Sequence, residues 1–120
     1  MNAITKEMLV RYAKAFTDAD RNHKIMCGHP TSKEVDECAD RMVKLGSAEE
    51  AVHMLDGQPD LPPEVLEFFD VHKVENQACM SCWVSRNPTK IHKECREKID
   101  RYFRAREALV KIGLKLSKEE

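Results

Sequence analysis

The sequence predicts a mainly α-helical protein, with five to six helices around one core and an ordered loop before a long C-terminal helix. Three observations predict it. Apolar residues recur at i, i+3/i+4 spacing in several separate stretches. Two capping boxes, Thr31–Glu34 and Ser47–Glu50, mark helix starts. Segments bearing Pro and Gly punctuate the chain between those stretches.

The elements follow in order. Thr5 is the expected N-cap of the first helix, with Met8, Leu9, Tyr12, Ala15, Phe16 and Ala19 on its apolar stripe and an end near Arg21–Lys24. Met26 to Pro30 reads as a loop, where Gly28 permits a tight turn and Pro30 biases His29 away from helix. Thr31 opens a second helix with Val35, Cys38, Ala39, Met42 and Val43 as its stripe, and Gly46 is the expected stop. Ser47 opens a short helix through Val52 and Leu55. Gly57 to Pro63 is a loop, and Pro62 or Pro63 starts a helix carrying Val65, Leu66, Phe68 and Phe69. Gln77 to Pro88 reads as a turn plus a short extended piece through Trp83 and Val84. Thr89 is the expected cap of the last helix, whose stripe is Ile91, Cys95, Ile99, Tyr102, Phe103, Leu109, Val110 and Leu116, with Gly113 weakening its final turns.

A chain of 120 residues, 42% hydrophobic and 34% charged, has the length and composition of one globular domain, 1–120. Residues 1–75 form its helical part with an acidic middle, and residues 76–120 carry the loop and a basic C-terminal helix. No apolar run approaches the roughly 18–20 residues that a membrane span needs. The start MNAITKEMLVRYAK carries frequent charge and no apolar h-region, so the expected location is cytoplasmic. Five cysteines cannot all pair within one chain, which favours reduced thiols.

The most informative stretch is Cys79-Met80-Ser81-Cys82 followed by His92-Lys93-Glu94-Cys95, a C-x2-C-x9-H-x2-C spacing. Two thiolates on a tight turn and a Cys/His pair on one helical turn can converge on a tetrahedral ion, and a Cys3His donor set suits structural Zn²⁺. The loop before the C-terminal helix is therefore expected to be zinc-stabilised. The alternative is that Cys95 is a core residue, His92 a surface one and Cys79/Cys82 a plain dithiol. Cys27 and His29 form a competing half-site: they could join Cys79 and Cys82 in place of His92 and Cys95. A separate site from His23, Cys27, His29 and Cys38 is weaker, since Cys38 lies on an apolar helical face.

From Cys79 to about Phe103 the arrangement resembles treble-clef zinc fingers. In these a C-x2-C knuckle is followed by a short hairpin and a helix whose first turn donates the remaining ligands. That resemblance implies a structural zinc and a role as adaptor or nucleic-acid binder, occasionally nuclease. Cys27-Gly28-His29-Pro30 is similar to the first half of zinc-binding modules in small bacterial and phage proteins, which implies the Cys27/His29 pairing.

Other features are bland. His53 and His72 read as ordinary helical residues. There is no H-E-x-x-H, P-loop, G-x-G-x-x-G or G-x-S-x-G motif, and adjacent Glu49 and Glu50 do not face one another, so no catalytic centre is expected.

Charge is divided unevenly. Residues 31–75 carry twelve Asp/Glu against four Lys/Arg, and residues 86–118 carry eleven Lys/Arg against four Asp/Glu. Much of the basic surplus is balanced along the last helix by Glu94/Lys98, Glu97/Arg101, Asp100/Arg104 and Glu107/Lys111 at i, i+4. Arg86, Lys90, Lys93 and Arg96 remain around the metal turn, beside Trp83. They suit either a rim around a Trp anchor for a protein partner or a grip on phosphates.

The expected function is a non-enzymatic, zinc-binding adaptor or regulator that docks on a protein, in the setting of nucleic-acid machinery. Its acidic surface (Glu49, Glu50, Asp56, Asp60, Glu64, Glu67) suits a basic partner. The alternatives are a direct nucleic-acid binder and, after it, a metal-dependent hydrolase. The C-terminal helix leaves a monomer and a homodimer equally open.

Overall fold

A computed structural model describes residues 1–119. Among these, six α-helices account for nearly all regular structure: α1 (Ala3–Asp20), α2 (Asn22–Cys27), α3 (Ser32–His53), α4 (Pro63–Val71), α5 (Met80–Val84) and α6 (Lys93–Lys118). Short 3-10 turns occupy Val74–Asn76 and Pro88–Lys90, and there is no strand among the described residues. The mainly α expectation holds. No helix is long and apolar enough to cross a membrane.

The backbone of the described residues divides into two compact units, one of residues 1–60 with 110–119 and one of residues 61–109. In the first unit α1 packs along α3. The side-chain oxygen of Asn2 accepts from the Thr5 N–H at 2.8 Å, so Asn2, not Thr5, is the N-cap of α1. Thr5 instead turns inward and is buried, as are Leu9, Val10, Tyr12 and Ala13. Residues expected as loop form the short helix α2, and the left-handed residue after it is His29 (φ 58°), not Gly28. The Thr31–Glu34 capping box forms as the sequence predicts.

Gly46 does not end a helix: α3 runs through it for 22 residues, and the second capping box is not used as one. Cys38, Leu45, Ala48 and Val52 fall on one continuous helical face and all are buried. A mid-helix Gly costs roughly 0.5–1 kcal/mol, whereas burying one Val or Leu contributes about 1.5–3 kcal/mol, so the longer helix wins. That register leaves much of the expected stripe outside: Val35, Met42 and Val43 are 40%, 55% and 72% exposed. Cys38 is core, as its position on the helix suggested.

Gly113 marks a close approach within the first unit. A Cβ placed there would lie on the carbonyl oxygen of Leu9 and 2.5 Å from the Cβ of Ala13. This glycine is a packing requirement rather than a weak point of α6.

In the second unit Pro63 takes the first position of α4, as predicted, and Val65, Phe68 and Val71 are buried. Arg101 of α6 donates to Glu67 at 2.6 Å and to Asp70 at 2.5 Å, which ties α4 to α6. The i, i+4 pair expected between Glu97 and Arg101 gives way to this two-carboxylate fork, while Glu94–Lys98 forms at 3.3 Å. Two further expectations are corrected. The stretch through Trp83 and Val84 is helical (α5), not extended, so no hairpin follows the knuckle. Thr89 does not cap the last helix: it sits in a 3-10 turn whose cap is Asn87, and α6 starts at Lys93. Of the expected α6 stripe Leu109 is buried but Phe103 is 51% exposed, and Ala105 lines the core instead.

Candidate metal centre

Local backbone chemistry builds the site from two similar halves. Cys79 is the N-cap residue of α5, and its carbonyl accepts from the N–H groups of Cys82 and Trp83, both at 3.1 Å. His92 stands just before α6, and its carbonyl accepts from the Arg96 N–H at 2.9 Å. Each helix start thus carries a ligand pair at i and i+3, so that both side chains leave the same face. The 3-10 turn at Pro88–Lys90, with Asn87 holding Thr89, folds the intervening chain back so that the halves meet.

The ligand atoms of Cys79, Cys82, His92 and Cys95 all lie within 4.8 Å of one another. The Cys79 and Cys95 sulfurs are 3.6 Å apart, and the Cys82 sulfur is 3.5 Å from His92 Nδ1. A tetrahedral ion with metal–sulfur bonds of about 2.3 Å and a metal–nitrogen bond of about 2.0–2.1 Å has S···S edges near 3.8 Å and S···N edges near 3.5 Å. The donor set therefore fits a single metal ion. Cys82 is buried, Cys95 half-buried, and Cys79 and His92 are exposed.

The electrostatics divide the thiols. The Ser81 hydroxyl, 3.3 Å from Cys79 Sγ, is the largest influence lowering the Cys79 pKa to about 6, with further help from Cys82 and Cys95. The His92 backbone draws the Cys82 thiol down, but the Cys79 sulfur, burial and Cys95 together push it up overall. One sulfur is thus prepared as a thiolate and its neighbour keeps its proton until something displaces it.

Cys27 and His29 lie at and beyond the end of α2, in the first unit, and are not among the four clustered ligands. Trp83 is 36% exposed and meets Tyr102 and Phe103 edge-on, with centroids 5.3 and 5.9 Å away. Arg86, Lys90 and Lys93 are exposed. Arg96 is engaged locally, donating to the Pro88 carbonyl at 2.7 Å, so it braces the turn between the ligand pairs. Sequence reasoning missed the cluster around Trp83: Tyr102 and Phe103 share a helical stripe with Ile99 and Leu109 and read as core. Their adjacency to a lone Trp in space had no signal in the spacing.

No protein-family model matches the chain, and neither does any curated protein or solved structure.

Proposed function

We propose that the protein is a zinc-binding adaptor, acting without catalysis by docking on a protein partner, in the setting of nucleic-acid machinery. The observation that carries the metal reading is the convergence of Cys79, Cys82, His92 and Cys95 within 4.8 Å. Three sulfurs and one imidazole favour zinc over the oxygen-seeking divalent ions. Four protein donors leave no position for water, which is the arrangement of structural sites. Zinc would clamp the start of α5 to the start of α6 and so fix the surface around Trp83. Docking on a protein is supported by what stands beside that clamp: Met80, Phe103 and Trp83 are 74%, 51% and 36% exposed.

Metal content of the purified protein tests the reading. The expected result is about one zinc per chain, lost in Cys82→Ser and kept in Cys27→Ser. Loss in both variants would move the site to the Cys27/His29 pairing. A folded, metal-free protein would overturn it.

The second reading, a direct nucleic-acid binder, rests on the exposure of Arg86 and Lys90 on the segment between the two ligand pairs and of Lys93 at the start of α6. It predicts oligonucleotide affinity that falls by orders of magnitude between about 50 and 200 mM salt, as phosphate contacts release counterions. A protein partner held mainly by apolar contacts would survive that change.

A further inference from the structure

Helix α3 carries two apolar faces. One, built from Cys38, Leu45, Ala48 and Val52, is buried within the first unit. The other is Val35, Ala39, Met42, Val43 and Gly46. At about 100° per residue these five fall within about 100° of arc, turned well away from the first face, and all are exposed. Asp36 and Asp40 run along one edge of this outer stripe, and Glu50 stands one turn beyond Gly46; all three are exposed. We infer that the outer face of α3 is a docking site for a basic amphipathic helix of a protein partner. The apolar side of that helix would lie on the stripe, while its lysines and arginines meet Asp36, Asp40 and Glu50.

Charge complementarity selects this occupant. Among the described residues, none of these three carboxylates takes part in an ion pair or a side-chain hydrogen bond. Glu34 and Glu37 of the same helix are already committed, the first to the Thr31 cap and the second to Arg41 at 3.9 Å. No Lys or Arg of α3 falls on the stripe, and Lys33 and Lys44 lie on the far side of Asp36 and Asp40 from it. Arg11 reaches α3 from α1, but its guanidinium donates to the Ser47 hydroxyl at 2.9 Å rather than to a carboxylate. The face is therefore apolar with an acidic border.

That border also argues against other occupants. Nucleic acid and anionic lipid headgroups are repelled by it. A second copy packed antiparallel would set the Asp36/Asp40 edge against itself, and a parallel one would set Glu50 against Glu50, so like charges oppose either pairing. The relief of the stripe suits a helix. Ala39 and Gly46 are low points between larger side chains, and the space over Gly46 is open, so a partner backbone can come close. Val35 to Gly46 covers about three turns, which is room for anchors at i, i+3/i+4 and i+7 of a docked helix. A contiguous apolar stripe left in water on a long helix is a mark of an interaction surface.

The inference rests on the reading that the chain docks on a protein, and it adds the surface and the chemistry of the partner.

The full-length protein, with its zinc content measured on the same sample, is titrated with three dye-labelled synthetic peptides of equal length, followed by fluorescence anisotropy. One forms an amphipathic helix with Leu and Ala on one face and Lys and Arg on the other. The second carries Glu in place of every Lys and Arg. The third scrambles the first so that its charge is kept and its apolar face is lost. The basic amphipathic peptide is expected to bind at least about tenfold more tightly than either control. Met42→Gln with Val43→Gln should weaken it by a similar factor, and Asp36→Lys with Asp40→Lys should abolish its preference over the acidic peptide. These positions are exposed, so circular dichroism should show unchanged helicity. A scrambled peptide that binds equally well overturns the inference, since charge alone then holds it. So does binding that ignores the Met42/Val43 variant but is lost in Trp83→Ala, which would keep protein docking and move it beside the metal centre. Self-association in sedimentation that the Met42/Val43 variant abolishes would overturn it in favour of a second copy. Zinc-loaded protein that ignores the basic amphipathic peptide sinks the α3 face and leaves the metal clamp standing. Metal-free protein that binds it with the expected preference sinks the clamp and leaves the face.

Discussion

Cys79 and Cys95 are sixteen residues apart in sequence, yet their sulfurs stand 3.6 Å from one another. Each belongs to a ligand pair at the start of a different helix, so the contact joins two separately built halves. Two thiolates at that distance repel, and two thiols make only a weak hydrogen bond. A cation held between them would turn the same geometry into a strong attraction, and it would organise the turn from Ser85 to Ile91 at the same time.

Removing one partner from this contact should be felt through the whole second half-site. Cys95→Ser is expected to reduce bound zinc from about one per chain to near none and to increase proteolytic cleavage between Ser85 and His92. Chelation of the native protein should give the same cleavage pattern. Wild-type and chelated protein with identical digestion would show that the cluster does not organise this turn.

Proton release separates the thiols. The Ser81 hydroxyl, aided by Cys82 and Cys95, lowers Cys79 to about 6, from an ordinary value of 9.0, so Cys79 is already ionised at neutral pH. Cys82 is shifted upward and still holds its proton there. Zinc binding, followed calorimetrically in buffers of different ionisation enthalpy, should therefore release fewer protons at neutral pH than the number of thiols it engages. The sign of the stability effect follows from a depressed pKa. Cys79 contributes fully above its ordinary thiol value, progressively less as pH falls, and nothing once pH has passed below about 6. Zinc affinity should fall in the same direction. Affinity that is flat from neutral pH to below 6 would contradict this ordering.

How much of this was legible in the sequence depended on how local the signal was. The ligand pairs could be read because i, i+3 spacing fixes which side chains leave one face, whatever the rest of the chain does. The Thr31 capping box and Pro63 start were local in the same sense. Gly46 misled because a glycine followed by Ser-Ala-Glu-Glu has every feature of a stop and a restart; only the burial of Ala48 and Val52 in register with Cys38 and Leu45 carries the helix across. The same long-range choice of register put Val35, Met42 and Val43 outside. Helix α5 was missed because it is a five-residue helix containing Trp and Val, and nothing in its composition distinguishes it from an extended piece. The Trp83–Tyr102–Phe103 cluster depended on how α5 meets α6, which no spacing rule reports.

The two helical glycines make opposite predictions. Gly46 has open space around its would-be Cβ, so Gly46→Ala should stabilise the protein by about 0.5–1 kcal/mol through backbone entropy. Gly113→Ala would place a methyl group on the Leu9 carbonyl oxygen and the Ala13 side chain, and neither can yield without moving α1. It should destabilise by roughly 1–3 kcal/mol, the range for overpacking a filled interior. Urea midpoints of the two variants, moving in opposite directions, would confirm the contrast; a neutral Gly113→Ala would mean the helices separate at little cost.

Arg101 offers a different kind of test, because its value lies in geometry more than in charge. It donates to Glu67 through Nε and to Asp70 through Nη2, and the Asp70 carboxyl is held below the usual carboxylate range first by Arg101 and then by Lys73. Lysine keeps the charge but has no planar fork to span two carboxylates, so Arg101→Lys should behave more like Arg101→Met than like wild type. The side chains are about a third to nearly half exposed, so solvent screening limits the loss to about 1 kcal/mol. Combining Arg101→Met with Asp70→Asn should cost less than the sum of the single changes, since both remove the same contact. The Asp70 contribution is present above its ordinary value of 3.8 and is lost as pH falls through its lowered pKa. The stability gap between wild type and Arg101→Met should therefore narrow in acid. A gap that stays constant from neutral pH down to strong acid would assign the role of Arg101 to the packing of its aliphatic stem instead.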